Sequence, residues 1–499
     1  MKFNKKIACL FFLSIFLSAQ YIFAENFSQE IKFNFSSLAA TENQNLPFEK
    51  ADSWSEKKHP FVALSGALGV NVLISTWNRY MIGSDWAKVG WDEWNHFWER
   101  KLTWDRDWYW TNFFLHPYQG SLYYMAARGS NLNKLESLAV TFLGSYTWEY
   151  LCESNAPSKN DMVFTTIGSF CVGEMFFRLS AEADEISKFL SYAINPQRIW
   201  TQSVWKIKQK RGGNNIHSLS LGFDIGNIVA NTKVNNMDSS LYPEREIYPV
   251  FSMFEFNVVY SDPFTHDSNS PYSQFDLYVH GGIGKGSGKA GYCAYENIDE
   301  KLFYDIRIFS DGMLFARNLN LSENTQTSLG AVMIYDFEWH SYYMLSSLAP
   351  GFAFKQRVNL PDAKLEWQAM LAGILLGNTD YYYFHRKLTP VFDVSCNYNN
   401  TIGGETIFKF HYKKENGFDA GLDFRGYAMY DFYDQLQEGA DTGFEFIGLL
   451  TASVQIPLSK TVRIGLKDEL YGKVTSYKKI DDVKQLVNTG RFFCKFELK

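Results

Sequence analysis

The feature that most constrains this chain is a period of two. From about residue 215 to residue 499, apolar and polar side chains alternate in one segment after another. Phe254, Phe256, Val258 and Tyr260 are interleaved with Glu255 and Asn257; Phe418, Ala420, Leu422 and Phe424 with Asp419, Asp423 and Arg425. Phe444, Phe446, Leu450, Ala452, Val454 and Ile456 line one face of a long segment, and Phe492, Cys494, Phe496 and Leu498 close the chain. Successive side chains of a strand point to opposite faces, so these are strands with one apolar and one polar side. Several run to ~10 residues, the length of a tilted membrane-crossing strand, where a soluble sandwich uses ~5–6. About 12 such strands fit into residues 215–499, an even number as bacterial barrels require. The expectation is an antiparallel transmembrane β-barrel, its apolar face to lipid and its charged face to a wet lumen. The last strand resembles the C-terminal signal of bacterial outer-membrane proteins, although it ends on Lys499 rather than an aromatic. Asn399 and Asn400 look like a turn.

Aromatic residues make up 17% of the chain. Such enrichment suits a long membrane–water boundary, where rings anchor at the headgroups. After the N-terminus no apolar run reaches the ~18–20 residues of a spanning helix. The nearest, Phe61 to Ile74, is broken by Ser65 and Asn71.

The N-terminal half has a different grammar. Residues 1–24 read as a secretory signal, with Lys2, Lys5 and Lys6 ahead of an apolar stretch and Ala24 at a cleavage point. Removing them takes three lysines and no acid, so the net charge moves from −6 to −9. That argues against a nucleic-acid partner, which would want a basic face. Residues 25–58 are polar and aperiodic and read as a flexible periplasmic segment. Residues 59–200 read as a helical domain: an apolar helix from His59-Pro60 to about Met81 ended by Gly83, then Pro117–Arg128, Asn133–Ser154, a helix capped by Ser158 and running towards Arg178, and Ala181–Ala193. Between the first two lies a tryptophan-dense stretch, Trp86 to Trp110, which suits either a membrane interface or a wall packed on the helices.

Within the helices, Asn112 to Glu174 carries His116, Arg128, Glu149, Glu153, Asp161 and Glu174. Buried charges are costly unless paired. Three readings follow. Arg128, Glu149, Glu153, Asp161 and Glu174 form an ion-pair network that fixes helix stacking. Alternatively His116, Glu149, Glu153 and Asp161 act on a lipid or glycan as a hydrolase, with Ser137 or Ser145 as nucleophile, although no GxSxG elbow surrounds either serine. Thirdly, Glu and His side chains ligate a metal; there is no HExxH, and the single Glu-x-x-His pair, Glu93 and His96, lies in the tryptophan stretch. No metal and no cofactor are expected. Cys152 and Cys171 could face each other across neighbouring helices, as a bridge or as two free thiols.

Asn112, His116-Pro117, Gly120, Arg128-Gly129, Trp148-Glu149, Glu153, Pro157-Ser158, Asp161 and Gly173-Glu174 together resemble the signature of an uncharacterised bacterial envelope family, a domain of unknown function, over about residues 60–185. The resemblance implies an outer-membrane setting in a diderm bacterium and brings no catalytic residues. The function expected is that of an outer-membrane barrel whose helical domain lies in the periplasm or plugs the lumen, structural or handling a small solute or lipid. Its partners would be outer-membrane lipids and, during insertion, the barrel-assembly machinery.

Overall fold

The computed structural model describes residues 57–104, 107–209, 212–236, 245–285, 302–381, 398–432 and 441–499. The expected signal and nearly all of the flexible segment lie outside these residues.

Residues 216–497 form twelve strands: β1 (Ile216–Val234), β2 (Arg245–Tyr260), β3 (Phe275–Lys285), β4 (Leu302–Ser322), β5 (Thr325–His340), β6 (Met344–Asn359), β7 (Ala363–Asp380), β8 (Tyr398–Lys414), β9 (Asp419–Asp431), β10 (Gly443–Pro457), β11 (Val462–Tyr477) and β12 (Val483–Glu497). Each pairs with its sequence neighbour, and β12 pairs antiparallel with β1, so the sheet closes into a barrel. Closure leaves no unpaired edge, the condition for placing strands in a membrane. Asn399 and Asn400, expected in a turn, instead begin β8 and pair with Thr379 and Asn378. One barrel end carries short connections such as 323–324, 360–362 and 415–418, together with the end of β12.

The period of two becomes the two faces of the wall. Along β10, Phe444, Phe446, Leu450, Val454 and Ile456 are exposed on the outside, while Glu445, Ile447 and Leu449 are buried inside. The same holds at Phe352, Leu371, Phe408, Leu466 and Phe492, all exposed on the outer wall.

Seven helices among the described residues precede the barrel: α1 (Pro60–Thr76), α2 (Trp91–Asn95), α3 (His116–Gly129), α4 (Lys134–Leu151), α5 (Lys159–Val163), α6 (Ser169–Ala183) and α7 (Lys188–Ile194). Their ends follow local chemistry. α1 runs on through a wider turn, Trp77–Ile82, and stops at Gly83 in the left-handed region with φ 79°. Asn133 caps α4 by accepting from the Glu136 N–H, while the Glu136 side chain accepts from the Asn133 N–H. Ser158 Oγ accepts from the Asp161 N–H at the start of α5. The helix expected over Ala181–Ala193 is two helices, because the chain turns after α6 and Ser187 caps α7.

Helices α3 and α6 cross so closely that only glycine fits. A methyl group on Gly120 would lie 2.1 Å from Ser169 Oγ and 2.4 Å from the Thr165 carbonyl oxygen. Ser169 in turn donates to the Pro117 carbonyl at 2.8 Å. Gly120→Ala is therefore expected to destabilise the helical unit by about 1–3 kcal/mol, the usual cost of overpacking. A lowered denaturation midpoint of the helical signal would show it.

Candidate functional site

Many inward-facing positions of the barrel are charged; some pair with the next strand, as Lys473 with Glu445 (2.8 Å), and others reach strands that are not neighbours. Arg307 on β4 binds Asp305 (2.7 Å) and reaches Glu469 on β11 (2.6 Å). Arg491 on β12 reaches Asp305 (2.8 Å). Arg425 on β9 holds Asp336 (2.6 Å) and Glu338 on β5. Lys355 on β6 and Lys409 on β8 both hold Asp311 on β4, at 2.8 and 3.1 Å. Lys473 on β11 sits 3.5 Å from Asp380 at the end of β7. The rings of Tyr343 and Tyr471 stack at 3.7 Å between the β5–β6 connection and β11. Asp305, Asp311, Asp336, Glu338 and Lys355 are at most 2% exposed. Strands that are not neighbours touch through these side chains, so the barrel's own residues meet across the lumen.

The helices instead lie on the outside of the wall. On β5 the even positions Asp336 and Glu338 face inward, so Met333, Tyr335, Phe337 and Trp339 face outward; yet Tyr335 and Phe337 are each only 1% exposed. Tyr335 Oη donates to the Phe113 carbonyl (2.7 Å), Tyr109 stacks on Phe337 at 5.4 Å and Trp110 on Trp339 at 6.3 Å. Cys171, Val172, Met175 and Leu179 of α6 pack with the outward side chains Val258, Tyr260, Phe275 and Leu277 of β2 and β3. At one barrel end Lys134 bonds Ser270 in the β2–β3 connection; at the other, Trp104 meets Phe432 and Tyr398 donates to the Asp107 carbonyl (3.0 Å). Through these contacts the helical unit covers outward-facing wall positions, while ion pairs stand on the inward face.

The described contacts of the five expected residues centre on two places. Glu174, fully buried on α6, receives Arg128 (3.0 Å), Arg178 (2.9 Å) and the Tyr124 hydroxyl (2.9 Å), with Lys134 at 3.9 Å. Arg178 sits one turn after Glu174 and also donates to the Pro271 carbonyl of the barrel at 3.5 Å. This cluster joins α3, α4 and α6 to the wall. Glu149 lies elsewhere: it accepts from the Ser158 N–H (2.7 Å) and so ties α4 to the start of α5. His116 Nε2 is 3.7 Å from Asp161, whose other oxygen accepts from the Asn160 amide (3.0 Å). Glu153 is half-buried beyond the end of α4.

The hydrolase reading needs a serine bonded to His116. The hydroxyls of Ser137 and Ser145 are buried without a hydrogen-bond partner among the described residues, so neither is activated by the histidine. Cys152 and Cys171 are both free thiols. Among the described residues one trio has donor atoms close enough for a metal, Asp224, Glu255 and His280 in the lumen. Lys467 and Arg491 already neutralise it: Arg491 lies 3.0 Å from His280 and 3.3 Å from Asp224, and Lys467 2.5 Å from Glu255. Two joints were missed from sequence. One is Tyr335 and Phe337, which sequence reasoning did not single out. The other is Glu182, which accepts from the Gly213, Asn214 and Asn215 N–H groups and from Tyr260, fixing the chain where it enters the barrel. The clustering of glycine and asparagine at 212–215 was the available signal.

Residues 101–197 match the family model described as a domain of unknown function (DUF3943). They include His116, Arg128, Glu149, Glu153, Asp161 and Glu174. No relative was found among curated proteins. Among solved structures, the chain is similar to the transport unit of the autotransporter AIDA-I from Escherichia coli, with 9% identity, a TM-score of 0.24, and 56% of this chain and 90% of that one covered. The P. putida toluene transporter TodX gives 5% identity, a TM-score of 0.24, and 56% and 89%. A Pseudomonas aeruginosa FadL homologue gives 8%, 0.23, and 57% and 91%. At such TM-scores these likenesses carry nothing about function, and the architecture rests on the closed ladder of twelve strands itself.

Proposed function

We propose that this chain is an outer-membrane β-barrel protein of a diderm bacterium, with a closed lumen, whose role is structural or lipid-handling rather than the conduction of solutes. The observation that carries the reading is the opposite polarity of the two faces of one closed wall. Apolar side chains stand exposed on the outside of β5 to β12, and buried ion pairs meet inside. The resemblance of residues 101–197 to a family of unknown function is compatible with an envelope setting and adds no activity. A lipid or small apolar ligand would meet this protein at the outer wall, since the lumen holds the barrel's own charges. Insertion would use the barrel-assembly machinery, as for other closed barrels. His116 and Asp161 serve here as a helix-positioning pair.

Outer-membrane fractionation combined with gel mobility before and after heating tests this. The expected result is a membrane-fraction protein that migrates faster unheated. A soluble periplasmic protein with unchanged mobility would end the reading.

A further inference from the structure

The helical unit wears its polarity inside out. A helix on a water-soluble domain turns apolar residues inward and polar ones outward. In α1 the inward face is Ala63, Gly66, Ala67, Val70 and Asn71, small residues with one buried amide. The Asn71 amide donates to the Gly144 carbonyl and Thr147 Oγ1, both at 3.0 Å, and the Tyr123 hydroxyl donates to Asn71 Oδ1. The outward face is Phe61, Leu68, Val72, Leu73, Tyr80 and Met81, with Val72 62% and Leu73 72% exposed. α4 repeats the pattern. Ser137, Thr141, Ser145 and Glu149 are buried, while Leu135, Phe142, Leu143 and Leu151 are exposed. Small residues and hydrogen-bonded polar groups at the helix–helix contact, with apolar residues outside, are the arrangement of helices packed in lipid.

Charge obeys the same division. Residues 60–78, through α1 into the wider turn, and 137–148 of α4 contain no Asp, Glu, Lys or Arg. Lys58 and Glu136 pair at 2.7 Å beside the starts of both helices. At the far ends stand Arg79, Asp85, Lys88, Glu99 and Arg100, among Trp77, Trp86, Trp91, Trp94 and Trp98. The helical stretch from Pro60 to Arg79 runs ~28 Å at 1.5 Å per residue, close to the thickness of a bilayer's hydrocarbon core, with Lys58 just before it. The tryptophans mark one boundary as an interfacial belt would. The helical unit also spans the height of the barrel wall, from Ser270 at one end to Phe432 at the other. Its edge on the wall is continuous with the exposed apolar band, since Leu376 is covered while Leu375 and Leu371 beside it are exposed.

We infer that the outer faces of α1 and α4 are lipid-contact surfaces. The helical unit crosses the bilayer beside the barrel, with acyl chains covering Leu68, Val72, Phe142 and Leu143. The inference rests on the membrane reading of the barrel. It places the Glu174 cluster, which reaches Lys134 and the Pro271 carbonyl of the β2–β3 connection, at the bilayer boundary near one barrel end, shielded between helices and wall.

The test is nitroxide labelling of full-length protein in phosphatidylcholine vesicles, with the chain's own cysteines replaced by alanine. Leu68→Cys and Val72→Cys report on α1, and Leu371→Cys on the barrel wall. The expected result is that all three collide with oxygen and are shielded from a water-soluble nickel chelate. Chelate access at Leu68 and Val72 with Leu371 still shielded would overturn this inference and leave the membrane barrel standing. Chelate access at Leu371 as well would overturn both. Labels at Leu68 and Val72 shielded from both reagents would mean that a protein surface, a second copy included, covers α1 in place of lipid, and would also overturn it. In the otherwise native chain, Val72→Arg is expected to lower the folded-to-unfolded ratio about 100-fold, the usual effect of an arginine at mid-bilayer. An unchanged ratio would contradict lipid contact.

Discussion

Replacing Glu174 by alanine is expected to destabilise the folded protein by about 3–5 kcal/mol, the range for removing one partner of a buried ion pair. The carboxylate is fully buried and is the common acceptor for Arg128, Arg178 and Tyr124. Its loss leaves two guanidinium groups facing each other with Arg178 fully buried. The two positive charges must then either stay without the carboxylate or pull the helices from the wall. Arg128→Ala should cost less, because Glu174 keeps Arg178 and has Lys134 nearby. The pair of changes together should cost clearly less than the sum of the two alone, since removing the carboxylate makes Arg128 a liability. Denaturant midpoints of the heat-modifiable form measure all three. Additive losses would mean that the groups are not coupled.

The second large effect is in the lumen. The wild-type protein is expected to give no conductance steps in planar bilayers, because side chains bridge β4 to β11, β12 to β4 and β9 to β5. Arg307→Ala combined with Arg425→Ala removes two of the cations that cross the lumen. It leaves Glu469, Asp336 and Glu338 without these cations, and Asp305 with Arg491, in a space newly open to water. Mutual repulsion among the three uncompensated acids should swell that space, so the double variant is expected to pass current with preference for cations. It should also lose stability by about 3–5 kcal/mol per arginine if the acids stay dry, and less if water enters. A wild-type protein that already conducts would show that the ion pairs do not seal the barrel.

Much of this architecture is legible in the chain. β10 is the clearest case: alternation from Phe444 to Ile456 carries straight into an exposed outer face and a buried inner one. The caps at Asn133 and Ser158 and the stop at Gly83 are equally local and equally readable. What sequence hides is anything set by the stagger of strands around a closed barrel. That stagger brings Arg307 to Glu469, 162 positions away, and no pattern in either strand announces it. The docking of helices on the outer wall is hidden for a different reason. Tyr335, Phe337 and Trp339 carry the residue types of any lipid-facing strand, and an aromatic covered by a helix looks the same as one covered by lipid. The polar residues from Asn112 to Glu174 were visible, but their partners were not. Glu149 and Arg128 were expected together; Arg128 instead meets Glu174, and Glu149 holds the Ser158 amide.

The central claim is a wall with lipid on one side and packed charge on the other. It is tested most directly by single-cysteine labelling through β10, from Leu449 to Gln455, in vesicles. The account predicts a strict alternation. Leu450, Ala452 and Val454 should be open to oxygen and shielded from a water-soluble quencher, and Leu449, Thr451, Ser453 and Gln455 should be shielded from lipid-borne quenchers. Water-soluble quenching at Leu450, Ala452 and Val454, or an absence of alternation, would contradict it.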